Sequence, residues 1–401
     1  MAKSVLIYTN HYYPENFKIN DVVDYFNSVK FKVTVITCVP NYPSGKLYKG
    51  YGFLKFKEIK GNVTIYRLPI ITRGNGKKIR LVLNYFSYFF SVLIFTLYIS
   101  IFKKKIDNII VHHTSPIFIT ISPILYKFFK RKVNLILWDL DIWPDTLVAL
   151  KLINNIRLIE YLQKYVNKIY NNYSKILVSS KAYVKILKER NEKLDIVYFP
   201  NWAEDVFIEN KIIKPLEYEE KEFKGLKIMF AGNIGKSQNI EEIFDVIIDT
   251  KDLNISWLFV GDGRMKSWLE LMVNKKKLNN KVFFLGNYPV KYMPYFFSIA
   301  DIMLISLKNE LAFRNTVPAK LQAYMASSKP ILANIYGESA DIINSSDCGW
   351  VVENKNDFKY KIFEIMELSI LELKAKGTNG SLNYKNYFEK INRFKQLHDM
   401  I

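Results

Sequence analysis

At 401 residues the chain is too long for one hydrophobic core and suits two domains of ordinary size. Lys and Arg number 58 against 38 Asp and Glu, a net charge of +20 that favours acidic partners: nucleic acid, anionic lipid or a phosphate-bearing substrate. The two cysteines, Cys38 and Cys348, lie far apart and outside any Cys/His cluster, which excludes a disulfide scaffold and a structural zinc site and predicts reduced thiols in a cytosolic chain.

In chain order, the first half alternates short β-branched runs with helical stretches. "MAKSVLIYTNHYYPE" holds the first strand. Its apolar run is too short for a secretory signal and has no small-residue cleavage site, so export is not expected. A helix from about Phe17 follows, then "FKVTVITCV", "NVTIYRL", "NIIVHH", "VNLILWDL" and "SKILVSS". This alternation predicts a parallel sheet with helices on both faces. Between "NVTIYRL" and "NIIVHH" lies Leu81 to Phe102, uncharged, dense in aromatics and flanked by "GKKIR" and "KKK". Its length is about that of a membrane span, yet the strands on either side belong to one sheet and must share one side of a bilayer. A helix lying on a membrane surface is the favoured reading, with a buried core helix and a true span as alternatives. The flanking lysines and Tyr85, Tyr88 and Tyr98 suit an anionic interface.

After "LDIVYFPNWAED", the charge-rich "FIENKIIKPLEYEEKEFKG" reads as a linker near residues 200–225. The pattern then restarts with "LKIMFAGNIG", "ISWLFVGDG", "KVFFLGN", "DIMLISL", "PILANI" and "GWVVE". Two doubly wound α/β domains would bind ligands at the carboxyl ends of their strands, in a cleft between them. "FAGNIGKSQNIEEIF" is a strand, a glycine turn and a helix opening, which presents backbone N–H groups and a helix dipole to a phosphate. It is neither GxGxxG nor a Walker loop. Lys236 stands in this turn, either on the anion or as an exposed lysine. "VGDGRMKSWLE" repeats the device, with Arg264 either reaching an anion or lying on the surface. In "RNTVPAK", Pro318 suits the first helical position, Thr316 the cap and Lys320 the first turn. A positive side chain on an already positive helix terminus points to a bound anion, and several such ends together point to a diphosphate.

These stretches, with "FLGNYPVKYMPYFFSIADIMLISL" and "TVPAKLQAYMASSKPIL" in the second half and "YTNHYYPE", "HHTSP" and "WDLDIWPD" in the first, resemble the nucleotide-sugar-dependent retaining glycosyltransferases of family 4. More narrowly, they are similar to the bacterial L-N-acetylfucosaminyl transferases that build surface polysaccharide repeats. The resemblance runs over essentially the whole chain. It implies a GT-B fold of two Rossmann-like domains facing a central cleft. The acceptor-binding domain would cover 1–200 and carry the apolar helix 81–102, the nucleotide-sugar domain would cover 201–380, and a helix over 381–401 would cross back to the first. It also implies transfer without metal or cofactor from a UDP-sugar, an N-acetylated amino sugar, to a polyprenyl-diphosphate-linked saccharide. The place would be the anionic lipid surface at the cytoplasmic face of the inner membrane, in lipopolysaccharide or capsule assembly, with no nucleic-acid partner.

Carried over by position, Gly232, Asn233 and Gln238 match the donor turn, Thr316, Val317 and Lys320 the segment touching the diphosphate, and Asn287 and Tyr288 the place where the base is held. The family sets a histidine against the donor sugar. His112 and His113 are adjacent and face opposite sides of a strand, so only one of them can face the cleft, the alternative being a structural role for both. His113 is preferred and joins Lys320 as the catalytic pair. His11, Glu15 and Asn16 follow the first strand at the same edge and suit sugar hydroxyls. Asp139 and Asp141 mimic a metal-binding DxD but lack a third ligand, and are assigned to the acceptor or to loop structure. The sequence departs from the family at its E-x7-E pair, because Pro318 stands eight residues after Glu310, and Ala323 occupies the place of the second glutamate. Two competing classes are a nucleic-acid or anionic-lipid binding protein explained by charge, and a GT-B-shaped sugar-nucleotide epimerase. The first predicts lysines clustered with stacking aromatics, whereas here they are spread along the chain.

Overall fold

The computed structural model describes residues 3–52, 55–209 and 211–401. The chain divides into Met1–Phe199 with Phe394–Ile401, and Pro200–Arg393. Each unit is built on its own sheet.

The first domain contains β1 (Ser4–Thr9), β2 (Lys32–Cys38), β3 (Lys57–Lys60), β4 (Val63–Leu68), β5 (Asn108–His113), β6 (Asn134–Asp139), β7 (Lys175–Val178) and β8 (Ile196–Tyr198), in the order β3-β4-β2-β1-β5-β6-β7-β8. Its helices are α1 (Ile19–Ser28), α2 (Lys78–Phe102), α3 (Ile121–Phe129), α4 (Asp145–Ala149), α5 (Ile156–Tyr170) and α6 (Lys181–Arg190). Central strands such as β1 and β5 are buried on both faces, which is why they read as unbroken apolar runs. One strand departs from the expected parallel sheet. β3, with the sequence KEIK, pairs antiparallel to β4 at the edge. A half-exposed, charged edge strand carries no apolar signal, and its lysines protect the edge from pairing with other chains.

The second domain has β9 (Leu226–Ala231), β10 (Ile255–Val260), β11 (Val282–Gly286), β12 (Ile302–Ser306), β13 (Ile331–Asn334) and β14 (Gly349–Val351), all parallel, in the order β11-β10-β9-β12-β13-β14. Around them run α7 (Ile240–Asp249), α8 (Lys266–Lys275), α9 (Met293–Ile299), α10 (Leu311–Arg314), α11 (Ala319–Ala326), α12 (Glu338–Ser346), α13 (Lys355–Met366) and α14 (Ile370–Tyr387). The single helix expected over 381–401 is instead the end of α14 and a separate α15 (Lys390–His398). The last eight residues pack on the first domain. Phe394 lies 5.0 Å from the Tyr25 ring, His398 meets Phe31 edge-on at 5.1 Å, and Asn134 Nδ2 donates to the Met400 carbonyl at 2.7 Å. Both cysteines are free and buried.

Winding reverses between β1 and β5 in one sheet and between β9 and β12 in the other. Doubly wound sheets open their ligand crevices at such points, beyond the strand carboxyl ends.

Helix α2 is buried on one side only. Its inward stripe is Asn84, Tyr88, Val92, Phe95, Thr96, Ile99 and Ser100. Three of its polar members are satisfied: Asn84 donates to the Ile71 carbonyl, Ser100 to the Thr96 carbonyl, and the Thr96 hydroxyl bonds the Tyr8 hydroxyl. The outward side is apolar, with Phe90 53%, Ile94 67% and Phe102 71% exposed. The helix is thus inverted relative to a surface helix of a water-soluble domain. By length and composition it could cross a membrane. Beside it, α3 ends in the exposed Phe128 and Phe129, and Lys130, Arg131 and Lys132 follow.

Candidate functional site

In the second domain three strand ends converge. β9 stops at Gly232, with φ of +122°, and β10 at Gly261, with φ of +132°. A Cβ on Gly261 would lie 2.0 Å from the Gly232 carbonyl oxygen, so the two turns touch backbone to backbone and no larger residue fits. Ile234 N–H donates to the Asp262 carbonyl at 2.8 Å and ties the turns together. Gly232, Asn233, Gly261, Asp262, Asn287 and Tyr288 line a cavity of about 290 Å³, with Val260 and Met293 behind. Four of the expected donor residues, Gly232, Asn233, Asn287 and Tyr288, therefore share one cavity.

Lys320, on α11, does not line that cavity but packs against Gly232, one of its lining residues. Its Nζ donates to Gln238 Oε1 at 2.6 Å and lies 3.6 Å from the centroid of the Phe230 ring, and its Cε is the atom nearest to a Cβ built on Gly232, at 3.0 Å. The ammonium is held without a carboxylate among the described residues, and burial pushes its pKa down to about 7. Such a cation is incompletely compensated by its surroundings.

Other expectations are corrected. Pro318 occupies the cap position of α11 and not its first turn, and Thr316 does not cap that helix. The Thr316 hydroxyl donates back to the Ala312 carbonyl at 3.1 Å and closes the turn after α10, which uses it up as a donor before α11 begins. Val317 packs against the domain core. Lys236 and Arg264 are exposed and do not line the cavity. Sequence reasoning missed Gly337 and Ser339. Ser339 Oγ donates to the Thr316 carbonyl at 3.0 Å, and at Gly337, with φ of +68°, a Cβ would strike the Arg314 carbonyl at 2.3 Å. Together they fix the turn that leads into Lys320. The only signal in the sequence was the glycine of "IYGES".

In the first domain, His112 and His113 end β5 at the winding reversal, on opposite faces. His112 Nδ1 lies 3.0 Å from Thr9 Oγ1, whose proton goes to the His11 carbonyl, so the imidazole donates and its Nε2 carries the lone pair. Burial lowers its pKa to about 3 and keeps it neutral. Trp138 and Phe17 flank it. His113 Nδ1 lies 2.6 Å from Asp139 Oδ1, and Tyr170 donates to Asp139 Oδ2. Neither Nε2 has a partner among the described residues.

The two groups of expected acceptor residues thus separate. His11, 4.3 Å from the Phe17 ring and stacked on it, lies on the His112 side, and Glu15 is buried beneath. Glu15 Oε2 meets His11 Nδ1 at 2.5 Å, while Oε1 accepts from the Asn41 and Tyr42 N–H groups. Asp139 is fully buried, and its oxygens accept from His113, Tyr170 and the Asp141 N–H. Glu15 and Asp139 are therefore internal struts and not open sugar contacts. Asn16 is exposed, and Asp141 is half-buried, its carboxyl raised by burial against the opposing pull of His113 and Ser115.

With this geometry in place, comparison with known proteins is decisive for the second half. Residues 213–379 match the family model for glycosyl transferases group 1. Most of the second domain is thus similar to the glycosyl transferases group 1. The chain is 27% identical over 267 residues to the probable glycosyltransferase WbjE of Pseudomonas aeruginosa, a match covering 63% of this chain and 64% of that protein. It is 23% identical over 356 residues to the putative colanic acid biosynthesis glycosyl transferase WcaI of Escherichia coli K12, covering 83% and 84%. Anabaena Alr3699/HepE, whose structure is a complex with UDP, superposes with a TM-score of 0.65 at 11% identity, over 100% of this chain and 99% of that one. The GT-B fold and the transferase class expected from the sequence are borne out by these matches.

Proposed function

We propose that the protein moves a sugar, an N-acetylated amino sugar, from a UDP-sugar to a saccharide on a polyprenyl diphosphate carrier, with retention and without a metal ion, at the cytoplasmic face of the inner membrane. The observation that carries this reading is the half-buried Lys320 ammonium beside Gly232 and Gln238, next to a cavity framed by glycine turns. As the glycosidic bond breaks, charge grows on the leaving diphosphate. Lys320 and the N-terminus of α11 answer it where it develops. The leaving phosphate itself can take the acceptor proton. His113 is itself buried, held by Asp139 with Nε2 as acceptor, and orients a sugar hydroxyl once the bound sugar displaces the side chains that cover it. The UDP complex of the Anabaena structure supports the choice of nucleotide. The outward apolar side of α2, with Lys77, Lys78, Lys103, Lys104 and Lys105 at its ends, supports the lipid-linked acceptor.

The reading is tested by following labelled sugar from UDP-N-acetylhexosamines onto a polyprenyl-diphosphate saccharide in EDTA. Transfer is expected to persist. Loss restored by Mn²⁺ or Mg²⁺ would show that a metal is needed.

Donor binding should also respond to pH. A bound diphosphate raises the Lys320 pKa, so binding takes up a proton. Above pH 7 the terminal phosphate of UDP, with a pKa of about 6, is already ionised. Affinity should therefore fall between pH 7 and 9, by up to about tenfold per unit. Calorimetry in buffers of differing ionisation enthalpy reads the proton uptake, and Lys320→Met should abolish it.

Vesicle flotation addresses α2. Wild type should float with anionic vesicles at low salt and less at high salt, where surface attraction is screened. Phe90→Glu with Ile101→Glu should stay in the soluble fraction.

A further inference from the structure

Alongside α2 runs a groove of about 670 Å³ that the transferase chemistry leaves unused. It lies between the helix and the β3–β4 edge, lined by Phe56, Tyr66, Leu68, Ile94, Phe95 and Tyr98, with Ser91 and Pro69 at one end and Lys57 and Lys103 on its rim. Its floor is an aromatic cluster, with Phe95 4.9 Å from Tyr66 and 5.6 Å from Phe56. A groove of this composition is lined as a hydrocarbon chain requires. Two of its walls, Ile94 and Tyr98, belong to the exposed apolar side of α2, so the groove opens from the same face.

The rim is cationic. Lys57 Nζ lies 6.0 Å from the Tyr66 ring and Lys103 Nζ 5.9 Å from the Tyr98 ring, and neither has a carboxylate partner among the described residues. Glu58, the nearest acid along the chain, is engaged by Arg67 and Lys55. We propose that this groove binds one chain of an anionic bilayer phospholipid, with its phosphate on Lys57 and Lys103.

The position of Lys103 selects a bilayer lipid over the acceptor's own carrier, with Lys57, paired opposite Tyr66 near the carboxyl end of β4, as the second cation of the rim. Ser91 Oγ donates to the Pro69 carbonyl, just past the carboxyl end of β4, and Lys103 lies twelve residues further along the helix. That is about 18 Å of helix rise, directed away from the strand carboxyl ends. A carrier diphosphate must stay with its sugar at those ends, whereas a phospholipid headgroup has no such tie. The inference rests on the reading of α2 as a surface helix, and its test keeps the two apart.

The experiment is calorimetric titration of the full chain with dihexanoyl phosphatidylglycerol below its micelle-forming concentration. Dihexanoyl phosphatidylcholine, glycerol 3-phosphate and farnesyl diphosphate are the comparison ligands. One-to-one binding of phosphatidylglycerol, tighter than that of the other three, is expected. Lys57→Glu with Lys103→Glu should weaken it by about tenfold or more, and Ser91→Phe, which fills the groove, should remove it. Phe90→Glu with Ile101→Glu, on the outward side, should bind it as wild type does while losing flotation. Absence of saturable binding, or wild-type binding by both the lysine variant and Ser91→Phe, overturns the proposal. Preference for farnesyl diphosphate overturns it in favour of the prenyl carrier. A wild type that binds phosphatidylglycerol one-to-one yet does not float supports the groove and overturns only the surface reading.

Discussion

Lys320→Ala is expected to lower kcat/KM for the UDP-sugar by on the order of 10²-fold or more, the scale of losing one preorganised charge-stabilising group. The loss should fall largely on kcat, because negative charge on the diphosphate is greater in the transition state than in the bound donor. The same residue should act on stability with the opposite sign. Burial depresses the ammonium to about 7. The empty fold therefore carries its penalty in full below pH 7, and the penalty shrinks as pH rises toward the ordinary lysine range. Lys320→Met, similar in length and uncharged, should accordingly melt higher than wild type at pH 6 while losing activity, and the gap should narrow at pH 9. A variant with near-normal turnover would remove α11 from the donor site.

The second large effect concerns Asp139. Its carboxylate accepts from His113 and from Tyr170 with no exposure to solvent. Asp139→Ala leaves a buried N–H and a buried hydroxyl without partners, which costs about 1–3 kcal/mol for each group. A loss of roughly 2–4 kcal/mol should appear as a lower urea midpoint with an unchanged m-value. Asp139→Asn separates structure from chemistry. Its amide keeps most of the packing, but if its nitrogen faces His113, the imidazole must accept at Nδ1 and carry its proton on Nε2. Activity should then fall by on the order of tenfold or more, as when a histidine is held in the wrong tautomer. Normal activity in a folded Asp139→Asn protein would show that the His113 lone pair is not used.

Much of this was legible in the sequence because doubly wound sheets announce themselves. Strands such as "LKIMFA" and "ISWLFV" are apolar on both faces and end in glycines that a close backbone approach demands, so the two turns at Gly232 and Gly261 could be placed by eye. Lys320 could be singled out because a cation at a helix start is locally unfavourable and needs a reason. What could not be read were side-chain partnerships across long separations. Nothing in "WDLDIW" shows that Asp139 faces inward to His113 and Tyr170, or in "HYYPENF" that Glu15 is used up by two backbone N–H groups of the 41–42 turn. Edge strand β3 was invisible for a different reason, since its residues are those of an exposed loop. In α2 the composition gave length and hydrophobicity, but only packing reveals that its few polar residues turn inward.

The return of the chain's last eight residues to the first domain also has a temporal side. A ribosome releases the N-terminus first, at about 5–20 residues per second. The patch around Tyr25, Phe26 and Phe31, and the side chain of Asn134, wait for Phe394, His398 and Met400. Those partners are synthesised after the whole of the second domain. The first domain is thus begun before the second and completed after it, and a nascent chain stalled near residue 390 would hold a nearly complete sheet with an aromatic corner still open to solvent.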